Sequence, residues 1–155
     1  MASSIGDIMT EKLVTITVSS SAQEAAIKMT ENNISSLVVT NGNNKSVGIV
    51  TERDLVTRVC VHDASSKNTT LENIMSSPLV TIDALSSVEV AADIMSQNGV
   101  RHLLVVKDED ISKPQGIITA SDFARYLKES LNLDETKATI LDTLKTENEL
   151  RYEGH

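Results

Sequence analysis

The sequence predicts an α/β protein made of two similar halves, each with the element order β-α-β-β-α. Three observations support this fold class: an internal repeat, short β-branched segments that alternate with helical patterns, and an aliphatic composition. Hydrophobic residues make up 40% of the 155 residues, and aromatic residues only 2%. The chain therefore has enough apolar material for a packed core built from aliphatic side chains.

The internal repeat has an offset of 66 residues. Residues 8–40 align without a gap to residues 74–106, with 14 identities in 33 positions. The second copy is then two residues longer, and Gly48–Leu55 returns as Gly116–Phe123. Because two copies of this length are too few for a solenoid, we predict two halves related by a pseudo-two-fold axis.

Each half contains three predicted strands. The β-branched segments Val14–Ile16 and Val80–Ile82 form the first strand of each half. Two further strands follow in each half, joined by a polar turn. These pairs are Ile34–Val39 and Val47–Val50, joined across Asn41–Asn44, and Val100–Val106 and Gln115–Ile118, joined across Lys107–Pro114.

A helix follows the first strand of each half. Ser21 with Glu24, and Ser86 with Glu89, have the spacing of capping boxes. Apolar residues then recur at helical spacing, and each helix ends where Asn or Gly tolerates a left-handed C-cap. A second helix follows the third strand of each half, and a loop over 62–70 joins the halves. The recurring apolar residues are Ala22, Ala25, Ala26 and Met29 in the first half and Val88, Ala91, Ala92 and Met95 in the second, and the helix ends are Asn32–Asn33 and Asn98–Gly99.

The last residues, 131–155, lie outside the repeat. Asp134 can cap a helix that presents Ile140, Leu141 and Leu144. Such a helix either packs on its own domain or frays, or it contacts a partner or spans a dimer. The sequence leaves both interpretations open.

The composition opposes several classes of function. With 14 Lys and Arg against 22 Asp and Glu, the formal net charge is -8, which disfavours nucleic acid and anionic lipid as partners. No apolar run approaches 18 residues and the first residues do not form a signal peptide, so we expect a cytoplasmic protein without a membrane span. Cys60 is the single cysteine of the sequence, which excludes an internal disulfide. Its place in an apolar helical pattern predicts a core residue.

A Thr and an Asp three residues apart recur at the two predicted strand-to-helix junctions, as Thr51 and Asp54 and as Thr119 and Asp122. On the first turn of a helix both side chains point the same way. The carboxylate can then accept hydrogen bonds from a ribose diol, and the helix N-terminus favours a phosphate. The same pair also describes a helix start that caps itself without any ligand. Both interpretations fit these residues alone.

Three basic side chains accompany the first of these junctions. Arg101 and His102 are successive strand residues and therefore point to opposite faces of the sheet. Arg53, between Thr51 and Asp54, adds a second guanidinium. A basic cluster within an acidic protein favours a bound phosphate.

This whole pattern closely resembles the CBS domain, which is named after cystathionine β-synthase, and two tandem copies of it form a Bateman module. The resemblance covers roughly residues 5–130, with repeat 1 over 5–62, repeat 2 over 71–130 and a C-terminal helical tail over 131–155. Any one matching segment is weak evidence, but their order and duplication are specific. The segments are 8–16, 48–55, 98–106 and 116–123.

The resemblance implies a CBS-domain pair in which the two repeats pack sheet to sheet and leave two symmetry-related clefts. In relatives, each cleft takes its ribose-binding Asp from one repeat and its adenine and phosphate contacts partly from the other. Carried onto this chain, cleft one combines Thr51, Arg53 and Asp54 with Thr81, Arg101 and His102, and cleft two combines Thr119, Ser121 and Asp122 with Thr15, Ser35 and Ser36. The apolar residues that would sandwich the base are Ile49 and Val80 in cleft one and Ile117 and Val14 in cleft two.

The residues themselves predict that the clefts differ. Cleft one has Arg53, Arg101 and His102, whereas cleft two has serines at the matching positions. We therefore expect phosphorylated adenosine to prefer cleft one. Cleft two is expected to take a less charged adenosyl ligand, to bind weakly or to stay empty.

The sequence thus predicts a stand-alone, non-enzymatic energy-sensing module that binds AMP, ADP or ATP as regulatory ligands and signals to an unidentified protein partner. Cys60, His62 and His155 form neither a catalytic arrangement nor a metal-ligand spacing, so no catalytic cofactor and no metal are expected. The resemblance implies a homodimer. The alternatives are a constitutive dimerisation or scaffold module with vestigial clefts, or another adenosyl ligand such as S-adenosylmethionine or cyclic di-AMP.

Overall fold

The computed structural model describes residues 3–130 and 139–145 and contains two three-stranded sheets. In each sheet the first strand runs parallel to the second, and the second runs antiparallel to the third. The predicted α/β class and the two similar halves are therefore confirmed. The strands are β1 (Thr15–Thr17), β2 (Ser36–Thr40) and β3 (Ser46–Thr51) in the first sheet and β4 (Thr81–Asp83), β5 (His102–Lys107) and β6 (Asp110–Thr119) in the second.

The helices occupy equivalent places in the two halves. A four-residue helix precedes each sheet, a long helix follows each first strand, and another helix follows each third strand. The first half has α1 (Ile5–Ile8), α2 (Ala22–Asn32) and α3 (Glu52–Leu55), which continues as a π-helical turn over Val56–Cys60. The second half has α4 (Leu71–Ile74), α5 (Val88–Asn98) and α6 (Ala120–Ser130), and α7 spans 139–145 in the tail.

The predicted helix boundaries are correct except at one N-cap. Ser21 and Glu24 form the expected capping box, and Asn33 and Gly99 end α2 and α5 in the left-handed conformation. The predicted box at Ser86 and Glu89 is wrong, because the cap of α5 is Ser87, whose hydroxyl accepts the N–H of Val90. The N–H of Ser86 instead donates to the carbonyl of Asp83 in the preceding turn.

The second hairpin is tighter than predicted. Asp108 and Glu109 both adopt positive φ, which closes the turn and lets β6 begin at Asp110 rather than near Gln115. The register shifts around Val106, so Pro114 lies at an irregular point of the ladder, where a missing N–H is tolerated.

The helices α1 and α4 were not predicted, and each packs on the core of the other half. Ile5 of α1 lies in the cluster that contains Ile82 and Leu103 of the second half. Leu71 and Ile74 of α4 lie in the cluster of the first half. The chain therefore crosses between the halves once before each first strand, after α1 and again after α4.

Glycines make these crossings possible. The segment after α1 pairs with β6 through Thr10 and Ile117, and the segment after α4 pairs with β3 through Ser76 and Ile49. A Cβ on Gly116 would lie 2.5 Å from the Thr10 carbonyl oxygen, and one on Gly48 would lie 3.0 Å from the Ser76 carbonyl oxygen. The glycine at the start of each repeated segment thus leaves room for the chain's own backbone.

The two sheets contact each other through their central strands. Val38 of β2 packs against Leu104 and Val106 of β5, and Leu13 and Leu79 flank this cluster. The sheet-to-sheet arrangement implied by the family resemblance is therefore present, and it places the ends of β3 and β6 beside the opposite repeat.

The predicted core position of Cys60 is wrong, because Cys60 is exposed while Val59 is buried. The π-helical turn explains the difference, since its wider spacing moves side chains off the 3.6-residue pattern. In the tail, Leu141 is half-buried and Ile140 and Leu144 are exposed, whereas Asp134 lies outside the described residues. Within the described part of the chain, no helix has the length and apolarity needed to cross a bilayer.

Candidate ligand clefts

Cleft two is an open cavity of about 510 Å³ between the repeats. It contains seven of the eight residues that the sequence assigns to it. Thr15 lies outside the lining; it is an exposed residue of β1, and its carbonyl accepts a hydrogen bond from Lys28. The seven are Val14, Ser35, Ser36, Ile117, Thr119, Ser121 and Asp122.

The cavity also has lining residues that the sequence analysis missed. Lys12 and Arg125 bring two positive charges to a cleft predicted to lack them. Arg125 follows Asp122 by three residues on α6, and this spacing on one helix face was a usable signal. The others are Thr10, Leu13, Asn33, Ile34 and Val38. The charge difference between the clefts is therefore smaller than predicted.

Asp122 is 2% exposed and accepts four hydrogen bonds from described residues. The N–H and hydroxyl of Thr119 donate to Oδ2, at 2.9 and 3.2 Å. The hydroxyl of Thr10 donates to Oδ1 at 2.9 Å, and Nη2 of Arg125 donates to the same oxygen at 2.7 Å. Since a carboxylate offers about four acceptor positions, Asp122 is saturated by the protein itself.

Asp54 is 6% exposed and accepts from only three donors among the described residues. The N–H and hydroxyl of Thr51 donate to Oδ2, at 2.9 and 3.1 Å. The hydroxyl of Ser76 lies 3.1 Å from Oδ1 and 3.4 Å from Oδ2. Nε of Arg58 forms an ion pair with Oδ1 at 3.7 Å, a distance too long for a hydrogen bond. Asp54 therefore keeps an acceptor position that Asp122 lacks.

The two carboxylates share one construction. Each accepts the N–H and the hydroxyl of the threonine that begins its helix, and each also holds a hydroxyl, Ser76 or Thr10, from the segment that crosses from the other half. The capping interpretation that the sequence left open is thus realised at both sites, and the carboxylates additionally fix the crossings.

The residues assigned to cleft one differ in exposure. Ile49 is buried, His102 is half-buried, and Arg53 and Arg101 are exposed. Thr51, Val80 and Thr81 are intermediate. The two predicted guanidinium groups are thus accessible to an anion.

His102 lies between the repeats. It pairs with Thr119 across β5 and β6, and it is close enough to Asp54 of the first repeat to interact with it electrostatically. Burial lowers the pKa of His102 below its ordinary value, with Arg101 acting in the same direction and Asp54 opposing it. The imidazole is therefore neutral at pH 7 in this structure.

No group of three or more His, Cys, Asp or Glu side chains that could hold a metal ion occurs within residues 3–130 and 139–145.

A family model described as the CBS domain matches residues 5–60 and 71–129. The chain belongs to the CBS-domain family. A 17.7 kDa CBS-family relative from Acidianus ambivalens is 36% identical over 127 residues, which is 82% of this chain and 74% of that protein. YlbB of Bacillus subtilis is 31% identical over 97% of this chain and 96% of its own length. A Methanopyrus kandleri relative is 34% identical, and the match covers 77% of this chain but 60% of that protein.

Solved structures give the same CBS fold. A conserved protein from Pyrococcus horikoshii superimposes with a TM-score of 0.74 at 31% identity, over 81% of this chain and 92% of that one. The CBS domain pair of protein MJ0100 superimposes with a TM-score of 0.73 at 26% identity, over 83% of this chain and 98% of that one. That pair was solved in complex with 5′-methylthioadenosine and S-adenosyl-L-methionine.

Proposed function

We propose that this chain is a regulatory module that binds adenosine-containing small molecules between its two CBS repeats, with AMP as the first candidate and ADP and ATP next. One observation carries the proposal. A cavity of about 510 Å³, lined by both repeats, opens beside a buried carboxylate at a helix start.

The chemistry of cleft two matches the parts of a nucleotide. Val14 and Ile117 offer apolar surface to a base. Asp122 would accept a ribose diol, and Lys12 and Arg125 would supply positive charge for a phosphate. The residues assigned to cleft one offer the same chemistry from the opposite repeats, with Asp54 as the carboxylate.

The adenosyl ligands of the MJ0100 pair support the ligand class. They do not decide which adenosyl compound this chain binds. The 5′ side of 5′-methylthioadenosine is uncharged, whereas that of S-adenosyl-L-methionine carries an amino acid.

Regulation would follow from linkage. A ligand that contacts both repeats stabilises one relative arrangement of them, and a protein partner that recognises this arrangement detects the ligand. A homodimer would double the number of clefts and bring the modules into one assembly. No step of this mechanism requires a catalytic group.

A second candidate function is supported by the hydrogen bonds of the carboxylates. Asp122 is saturated and Asp54 has three donors within the described residues. Both aspartates therefore serve the fold without any ligand, as a constitutive dimerisation or scaffold module with vestigial clefts would require.

A thermal-shift screen separates the two candidates. The ligands are AMP, ADP, ATP, S-adenosylmethionine and cyclic di-AMP, with GMP as the matched control for the base. A bound ligand at 100 times its Kd stabilises the folded chain by about 2.7 kcal/mol, which raises the melting temperature by several degrees. An unchanged melting temperature with every adenosyl compound would support the scaffold.

A further inference from the structure

We propose that Arg125 and Thr10 make binding in cleft two conditional on an anion. In the structure both donate to Oδ1 of Asp122. A ligand phosphate draws the Arg125 guanidinium away, and the freed carboxylate oxygen then accepts from the ribose diol. The inference rests on the proposed function and identifies the class of ligand that cleft two selects, namely phosphorylated nucleosides.

Arg125 competes with a ligand for Oδ1 of Asp122, and its hydrogen bond to that oxygen is strong because it is charged and short. Nη2 of Arg125 lies 2.7 Å from Oδ1 of a carboxylate that is 2% exposed, and charge-assisted hydrogen bonds of this kind are about twice as strong as neutral ones. A neutral ribose hydroxyl alone cannot replace it without loss. An uncharged nucleoside therefore finds the acceptor positions of Asp122 occupied and binds weakly.

Arg125 is also placed to change partners. Its side chain is 52% exposed and lines the cavity, so the guanidinium can turn toward a ligand without crossing the core. Its other partner is the carbonyl of Ile8, at 3.1 Å. The exchange moves one cation from a carboxylate to a phosphate and leaves the number of ion pairs unchanged.

Cleft one does not have this arrangement. The nearest guanidinium, that of Arg58, donates to the carbonyls of Ile74 and Met75 and is 3.7 Å from Oδ1 of Asp54. Its position is fixed by two backbone acceptors. An uncharged adenosine can therefore reach Asp54 by displacing only the Ser76 hydroxyl. The inference departs from the expectation drawn from the sequence, that cleft two takes a less charged adenosyl ligand, binds weakly or stays empty.

The experiment compares AMP with adenosine in the full chain, by NMR of isoleucine methyl groups. Ile34 and Ile117 line cleft two and report on it directly. In Arg125→Met, adenosine affinity at these methyls should rise about tenfold, because the competitor is gone, while AMP affinity should fall about tenfold. Lys128→Met is the matched control, since it removes the same charge from α6 outside the cavity, and neither affinity should change.

Opposite changes for the two ligands cannot arise from structural damage, which weakens both. The inference is overturned if both affinities fall together, or if neither changes. Arg125→Lys is the second variant; it keeps the charge without the guanidinium fork, so AMP affinity should persist and adenosine affinity should rise. If neither ligand shifts any methyl of the wild-type chain, the proposed function itself fails, which is a distinct result.

Discussion

Cleft one and cleft two are built by the same repeated residues but differ in how their carboxylates are satisfied. Asp54 has three donors and an arginine that is occupied by backbone carbonyls. Asp122 has four donors, one of them the guanidinium of Arg125. The difference shows that duplication preserves a construction while single residues around it decide how each carboxylate is satisfied.

The largest expected effect comes from removing the two carboxylates separately. Asp54→Ala should weaken the tighter AMP site by about 30- to 150-fold, since a charged hydrogen-bond acceptor for the diol is lost, at about 2–3 kcal/mol. Asp122→Ala should leave that tighter site intact. Isothermal titration calorimetry measures both, and Asp54→Asn serves as the variant of conserved shape. The comparison is reversed if Asp122→Ala abolishes AMP binding and Asp54→Ala does not.

The next effect concerns stability at the two crossings. Gly116→Ala places a Cβ 2.5 Å from a backbone carbonyl oxygen, whereas at Gly48 the nearest atom is the flexible Met75 sulfur at 2.7 Å and the backbone oxygen lies at 3.0 Å. Gly116→Ala should therefore cost about 2–3 kcal/mol of the free energy of unfolding and Gly48→Ala about 1 kcal/mol. Urea denaturation of both variants gives the two values, with Gly42→Ala, where a Cβ meets no atom within 4 Å, as the control. Equal costs would show that the crossings are equally tight.

The smallest effect is the pH dependence of stability through His102. Burial lowers its pKa in the folded chain, so the unfolded chain takes up the proton first as the pH falls below about 6.5. The free energy of unfolding is therefore higher at pH 7.5, where His102 is neutral in both states, and it falls toward pH 5.5. His102→Gln should reduce the change in unfolding free energy between these pH values by about 1 kcal/mol or less. Melting temperatures across the range follow this change.

His62→Gln is the control for this measurement, because His62 is exposed and lies in the loop between the halves. A profile that His102→Gln does not alter would remove His102 from the proton balance of folding.

Much of the fold follows from the sequence because the repeat aligns strongly periodic segments. The helices α2 and α5, with their caps at Ser21, Asn33 and Gly99, are determined by local chemistry. The helices α1 and α4 have only four residues each, which is too short for a periodic pattern. The polar segment Lys107–Pro114 predicts a turn but not its tight closure, because Asp108 and Glu109 adopt positive φ without glycine.

The residues of the candidate site are also predictable only where the signal is local. Residues within the repeated motif, such as Thr119 and Asp122, are identified by their spacing alone. Thr10 is 112 residues from Asp122 in the chain, so its contact with that carboxylate depends on the crossing of α1 and has no local signal. The cations of cleft two were missed because Lys12 and Arg125 have no basic counterpart at the aligned positions of the other repeat.

The exchange of α1 and α4 between the halves also makes each half depend on the other. Each half covers the apolar interior of the other with a short helix, so a half expressed alone would expose that interior to water. A protein with a single copy would have to cover it by exchanging this helix with a second molecule, as in a domain-swapped dimer. A chain that carries both copies makes the exchange within one molecule, so it does not depend on protein concentration.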